Sequence, residues 1–210
     1  MTATQAFNCL QSEIHTTIAA TVDDEGLPVT CAIDIMDADE NGLYFLTAKG
    51  KGFYDRLKKR GYLALTGIKG ADTLSCVAVS VRGRVRELGG APIARLFEKN
   101  PYMNALYPTR ASQRALTAFQ LYEGNGEWLD LSQKPIERFS FTFGPAEGGQ
   151  VGGYFITDAC IGCRACEAVC PQSCIDFTST PAVIRQEHCL RCGNCMGLCP
   201  QKAVIREGSK

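Results

Sequence analysis

CIGCRACEAVCP, residues 160–171, returns as CLRCGNCMGLCP, residues 189–200. Both copies read C-x₂-C-x₂-C-x₃-C-P, and the second begins 29 residues after the first. Three cysteines at x₂ intervals on a tight loop cover one side of a cubane iron–sulfur cluster. A fourth thiolate must then close the tetrahedron from elsewhere in the chain. Zinc asks for C-x₂-C pairs across a longer gap and has no use for a third and fourth cysteine followed by proline, twice over. A disulfide framework suits a small exported domain. The opening MTATQAFNCLQSEI has no basic segment ahead of an apolar core, so no export signal is expected. Pro171 and Pro200 are placed to stop the short helical turn after each third cysteine.

With these motifs in hand, residues 154–205 resemble the bacterial two-4Fe-4S ferredoxins over their whole length. In that pattern the fourth ligand of each cluster comes from the other motif. One cluster is therefore assigned to Cys160, Cys163, Cys166 and Cys199, and the other to Cys189, Cys192, Cys195 and Cys170. Of the remaining cysteines, Cys174 is expected to pack as a small side chain under a cluster. Cys9, Cys31 and Cys76 stand in apolar surroundings and are expected to be buried. His188, next to Cys189, is expected in a loop where it can tune the neighbouring cluster.

Composition bounds the rest. With 45% hydrophobic and 21% charged residues, the 210-residue chain is ordinary globular material, enough for one medium domain and a small one. Lys and Arg total 22 and so do Asp and Glu, which gives no electrostatic case for nucleic acid or an anionic membrane. No apolar run approaches the ~18 residues of a membrane span. The expected location is the cytoplasm, where thiols stay reduced for iron.

Upstream of the cysteines the pattern is of short strands. Residues 17–22 are strand-like and end at the turn DDEG. Residues 28–36 make a second strand, Asn41-Gly42 a hairpin turn, and residues 43–47 a third strand. A helix follows at residues 53–60, with Lys58, Lys59 and Arg60 at its C-terminal end, where cations suit the dipole. Further strands are expected at residues 62–68, 74–88, 116–123, 127–131 and 136–143. Gly83 is a candidate bulge, and Gly124-Asn125-Gly126 a turn. Helix is expected at residues 2–12 and 91–107, the latter limited by Pro101 and Pro108. Arg82, Arg84 and Arg86 alternate on one strand face, either as a solvated face or as a phosphate site. The glycine-rich stretch 144–153 is expected to link a domain at 1–143 to one at 154–210.

This order of elements, carried by ATVDDEGLPVTCAI (residues 20–33), NGLYFLTAKGKGFYDRL (41–57) and VAVSVRGRV (77–85), resembles the flavin-binding split barrels of the pyridoxamine-phosphate oxidase-like superfamily. The fold expected is a mainly β split barrel with helical insertions, followed by the small α+β two-cluster domain. The resemblance implies a homodimer with flavin mononucleotide (FMN) at the subunit interface. It places the flavin phosphate at Thr47, Lys49, Gly50 and Lys51, where small residues, a helix N-terminus and two lysines meet. It runs the strand from Thr30 to Asp34, with Thr30 and Ala32 as contacts, along the flavin ring. The sole tryptophan, Trp128, is a candidate cover for that ring, against the commoner role of a core or interface residue. Relatives with Ser, Arg or Lys a position or two further on differ from this chain, which has Gly52 and Phe53.

No G-x-G-x-x-G follows a strand, so no Rossmann site is expected to bring a nicotinamide. Electrons would then pass between the clusters and bound FMN, one at a time on the iron–sulfur side, to an unidentified small molecule or protein partner. Two alternatives stay open. One is an electron carrier whose barrel only dimerises. The other is a barrel that holds haem, with His15 as ligand, or a deazaflavin.

Overall fold

Turn chemistry lays down the first strands. β1 (Thr16–Val22) and β2 (Pro28–Asp39) pair antiparallel from Thr16 opposite Asp34 to Val22 opposite Pro28. Asp23 accepts from the Leu27 amide at 2.8 Å to hold the turn between them. β3 (Gly42–Ala48) begins at a glycine with φ 130°, where a Cβ would lie 1.9 Å from the Leu121 carbonyl oxygen. In this computed structural model, which describes residues 1–145 and 152–208, four more long strands follow. They are β4 (Tyr62–Lys69), β5 (Val77–Gly89), β6 (Leu116–Asp130) and β7 (Glu137–Phe143). The strand order is β3-β2-β1-β4-β5-β6-β7, and β3 also pairs with β6, from Leu43 opposite Leu121 to Ala48 opposite Leu116. That second pairing closes β1 to β6 into the six-stranded split barrel, as the pattern of strands predicts.

Phe45 and Phe119 stack inside the barrel at 5.8 Å between centroids, among Leu43, Ile35, Leu63, Val79 and Leu121. Fully burying each such side chain stabilises the fold by roughly 1.5–3 kcal/mol. α1 (Ala3–Asn8) starts with a capping box between Thr2 and Gln5, and its Phe7 lies edge-on to Phe141 and Phe143. The helix then widens into a π-helical stretch, Cys9–Ile14, closed by the His15 amide donating to Leu10 O at 2.8 Å. Gly67 makes room for it, since a Cβ there would meet Leu10 Cδ2 at 2.7 Å. His15 itself is left at φ 64°, ψ −63°, a conformation that costs a non-glycine residue on the order of 1–3 kcal/mol.

Two expectations are corrected. Gly124-Asn125-Gly126 is no turn, because β6 runs straight through it to Asp130. The glycines are there for space. A Cβ on Gly124 would lie 2.1 Å from Arg82 O, one on Gly83 2.0 Å from Glu123 O, and one on Gly126 2.4 Å from the Phe141 ring. The expected helix at 91–107 is two pieces, α3 (Ile93–Lys99) and α4 (Met103–Leu106), parted at Asn100-Pro101 and followed by α5 (Arg110–Gln113). The helix after β3, α2 (Gly52–Arg60), ends at Gly61 with φ 61°. Arg82, Arg84 and Arg86 are exposed, with Arg82 donating to Asn125 and Arg86 to Gln120.

Contacts divide the chain into two units. The first holds Met1–Lys69, Ala78–Glu127 and the chain from Phe141; the second holds Gly70–Val77, Trp128–Ser140 and the C-terminal residues. Most of the expected linker, residues 146–151, lies outside the described residues. In the second unit β8 (Gly153–Ile156) pairs with β11 (Val204–Glu207), and β9 (Ile175–Asp176) with β10 (Val183–Ile184). A short helix, α6 (Asn194–Leu198), lies within the second cysteine motif, between Cys192 and Cys199. No helix among the described residues is long and apolar enough to cross a membrane.

Candidate functional site

The 29-residue sequence repeat is also a repeat of backbone shape. Gly162 and Arg191 both have positive φ, as do Arg164 and Gly193, and Ser173 and Lys202. Each pair is one repeat apart. These left-handed residues turn the backbone at equivalent points of both loops. The Cys174 amide donates to Cys170 Sγ at 3.4 Å, and one repeat later the Ala203 amide donates to Cys199 Sγ at 3.3 Å. Arg191 N–H donates to Cys189 Sγ at 3.3 Å.

The curled loops surround two cavities. One, with about 360 Å³ of empty space, is lined by Cys160, Cys163, Cys166 and Cys199, with Ile156 and Phe177. The other, of about 340 Å³, is lined by Cys170, Cys189, Cys192 and Cys195, with Cys174, Tyr154 and Ile184. Among the described residues no three His, Cys, Asp or Glu side chains converge on a single ion. Four thiols line each cavity, the number of ligands a four-iron cubane takes. Burial pushes the Cys166 and Cys195 thiols up. Burial also acts upward on Cys199, but the amides of Ala203, Gln201, Val204 and Lys202 outweigh it and hold that thiol low. Such amide contacts to sulfur favour the thiolate and raise a cluster's potential.

Cys174 is buried, with its Sγ 3.5 Å from Cys170 Sγ, and it stands one repeat before Ala203. Its thiol is pushed up by burial and by its neighbours Cys170 and Cys189. Residues 136–138 bond to both arms of the second cavity. Ile136 N–H donates to Gln172 Oε1 at 3.1 Å, His188 Nδ1 reaches Ile136 O at 2.9 Å, and Arg138 Nε donates to Cys189 O at 3.1 Å.

A third feature, in the first unit, is an open groove with about 790 Å³ of empty space. The edge of β2 supplies Cys31, Ala32, Ile33 and Asp34; β3 supplies Leu46, Thr47 and Ala48; α4 and its following residue supply Met103, Leu106 and Tyr107. Lys51 and Phe53 close one end. Of the expected flavin contacts, Ala32, Thr47 and Lys51 line this groove, whereas Thr30, Lys49, Gly50 and Trp128 are not among its lining residues. The amides of Lys49 and Lys51 are committed to the carbonyls of Ala115 and Ala48. Lys49 is close enough to Glu87 to lower its carboxyl. Trp128 is buried and belongs to the second unit.

Cys9 is buried as expected, but Cys31 and Cys76 are only part-buried, and Cys31 forms groove wall. Burial pushes the Cys31 thiol up while Arg56 and Lys51 pull it down, so this end of the groove is electropositive. Asp34 is the one carboxylate in the lining. It accepts from Thr16 Oγ1 and from the Tyr102 hydroxyl, each at 2.7 Å, and Tyr102 in turn meets His15 Nε2 at 2.8 Å. Sequence reasoning missed Tyr102, Met103 and Tyr107, and named Asp34 only as the end of the strand expected along the flavin ring. Asp34 sits in a strand that was read correctly, but its partner lies 68 positions away.

The first 132 residues carry the deciding match. The family model described as pyridoxamine 5'-phosphate oxidase fits residues 3–132. The chain belongs to that family. A second model, described as a 4Fe-4S dicluster domain, fits residues 159–203. The protein is thus an iron–sulfur electron-transfer protein built on the family's split barrel. Among the curated proteins none matches the chain. Solved structures give the fold. A Clostridium acetobutylicum protein related to general stress protein 26 of B. subtilis, of the pyridoxinephosphate oxidase family, aligns at TM-score 0.52 and 18% identity over 64% of this chain and 90% of its own. A nimc/nima family protein of the same organism aligns at 0.53 and 14%, over 65% and 91%. A heme binding protein from Mycobacterium smegmatis aligns at 0.52 and 11%, over 67% and 58%.

Proposed function

We propose that the protein is an iron–sulfur flavoprotein, an FMN-dependent oxidoreductase that moves electrons between two 4Fe-4S clusters and an FMN held in the groove. Cys160, Cys163, Cys166 and Cys199 would hold one cluster, and Cys170, Cys189, Cys192 and Cys195 the other. The observation that carries this is the grouping of the thiols. Two sets of four line two separate cavities, each set drawing three cysteines from one motif and one from the other. The groove fits a flavin phosphate at one end, where Lys51 and Arg56 both act on Cys31. It fits an apolar ring beyond, along Ala32 and against Met103, Leu106 and Tyr107.

FMN accepts electrons singly or in pairs, which is the chemistry that joins one-electron clusters to a two-electron substrate. The chain's own residues orient and shield it. Lys51 supplies fixed positive charge, the β2 edge supplies backbone donors and acceptors, and α4 keeps water from one wall. The cysteine-bearing segment 154–210 serves as the electron port and the barrel as the reacting site, in a cytoplasmic homodimer with a small-molecule or protein redox partner. Haem on His15 is disfavoured, because Nε2 meets Tyr102 and Nδ1 faces the Gln11 carbonyl at 3.3 Å.

The test is chemical. Protein purified without oxygen is treated with acid, and the released cofactor is identified and counted against iron and sulfide. About one FMN and about eight irons per chain are expected. Eight irons with no flavin would sink the flavoprotein reading and leave an electron carrier.

A further inference from the structure

We propose that His15, Tyr102 and Asp34 form a proton-transfer chain into the groove, serving the two-electron reduction of an acceptor bound there. The proposal rests on the oxidoreductase reading above. The carrying observations are geometric. Asp34 lines the groove. The Tyr102 hydroxyl donates to Asp34 Oδ2 at 2.7 Å, so its oxygen is left to accept from His15 Nε2 at 2.8 Å. The two rings meet edge to face at 5.6 Å between centroids. The other oxygen of Asp34 is fixed by Thr16 at 2.7 Å. Burial, and then Asp34, push the Tyr102 hydroxyl well above the usual phenol range, so it keeps its proton and passes one only in exchange for another.

The backbone that presents His15 is unusual in two respects. The residue follows a π-helical stretch, a rare form frequently met at functional sites. Among the described residues it is also the only non-glycine of the first unit with positive φ. Strain of this kind persists where the surroundings over-determine it, and it clusters at sites of chemistry. Side chains of His15 and Asp34 are each about one-third exposed. A molecule in the groove covers Asp34 from that side, which leaves the imidazole as the end of the chain open to water.

The Nε2–H bond of protonated His15 breaks as a new O–H forms on Tyr102, and the original Tyr102 proton moves to Asp34. The Asp34 O–H then breaks as a bond to hydrogen forms on the acceptor, and a solvent hydronium gives its proton to His15, leaving water and restoring the Nε2–H bond. Two electrons from a one-electron donor such as dithionite, for which the clusters held by the eight cysteines would supply the one-electron chemistry, and two such proton transfers complete the reduction.

The test compares two acceptors, each mixed with anaerobic protein that dithionite has reduced and from which the excess dithionite has been removed. Duroquinone takes up two electrons and two protons, whereas ferricyanide takes one electron and no proton. The readout is the ratio of the two rates in one preparation, so loss of folded protein or of cluster cancels. Tyr102→Phe and His15→Gly, the second relieving the backbone, are expected to lower the duroquinone-to-ferricyanide ratio by on the order of 10²-fold. Added imidazole is expected to restore His15→Gly and not Tyr102→Phe. A ratio unchanged in either variant, or one that imidazole leaves low in His15→Gly, overturns the chain. FMN counted in the same preparations separates the two ideas. A lowered ratio without flavin sinks the flavin reading alone, and an unchanged ratio with flavin sinks the proton chain alone.

Discussion

Replacing Lys51 by alanine tests the groove most directly. Lys51 caps α2 and lines the groove, and its charge is felt at Cys31. A hydrogen bond to a charged group is worth about 1.5–3 kcal/mol. Lys51 is exposed, so solvent screening puts its contribution at the lower end. At about 1.4 kcal/mol per factor of ten, Lys51→Ala should raise the Kd for FMN about tenfold. Lys49 is also exposed, but it lies outside the groove lining and near Glu87. Lys49→Ala should change Kd by about twofold or less. The assay is a titration of flavin-free protein followed by quenching of flavin fluorescence, run with FMN and with riboflavin, which lacks the phosphate. Riboflavin affinity should be the same in wild type and Lys51→Ala. Equal weakening for both ligands, or an FMN affinity that Lys51→Ala does not touch, would refute the phosphate placement.

Other consequences are as specific. Cys174→Ala should retain about eight irons, since Ala203 occupies the equivalent place in the second repeat. Cys170→Ala should instead lose the EPR signal of the cluster shared with Cys189, Cys192 and Cys195, and loss of the other signal would break the cross-ligation. Gly124→Ala drives a Cβ to within 2.1 Å of Arg82 O and should destabilise the barrel by about 1–3 kcal/mol in urea melts. Gly50→Ala, with nothing within 4 Å, should stay within about 0.5 kcal/mol of wild type. Lys58 first, and also Thr117, hold the Glu87 carboxyl below its ordinary range against some burial. A carboxyl held low when folded stabilises the protein above its unfolded pKa, and that contribution fades as pH falls through the folded value. The Tm difference between wild type and Glu87→Gln should therefore be largest near neutrality and vanish in acid; a difference that ignores pH speaks against the pair.

How far the sequence was legible depends on whether the signal is local. The cluster cysteines are readable because thiolate chemistry fixes their spacing within a dozen residues, and the repeat writes the same loop twice. Strands β1 to β4 are readable because alternation and the Asn41-Gly42 turn act over a few residues. Gly124-Asn125-Gly126 misled because glycine has two physical uses. In isolation it signals a turn, but here it lets β5 and β6 approach closely, and only the opposing strand reveals which use applies. The groove was half legible for the same reason. Thr47 and Lys51 belong to a local strand-to-helix junction, whereas Met103 and Tyr107 lie in the expected helical stretch 91–107, and nothing local says that its second piece, after the break at Asn100-Pro101, lines the groove.

That division bears on how the two halves should tolerate change. Each cluster cavity is set by loops whose left-handed residues recur one repeat apart, so its geometry is over-determined by short-range sequence. The groove is assembled from β2, β3, the start of α2, α4 and the first residue of β6, and its one carboxylate is aimed by Tyr102 from a remote turn. Substitutions that shift α3 or α4 without touching the groove should therefore alter its chemistry before they alter iron content. Asn100 is the place to look. It is buried, and its side-chain amide donates to Met36 O at 2.7 Å and Leu96 O at 2.8 Å, joining β2 to the break between the two helices. Asn100→Ala leaves those carbonyls short of a donor and frees the Tyr102 turn, at a cost of about 1–3 kcal/mol. Full iron with weakened FMN binding is the expected result. Iron lost in step with flavin would mean that the two halves do not hold their sites independently.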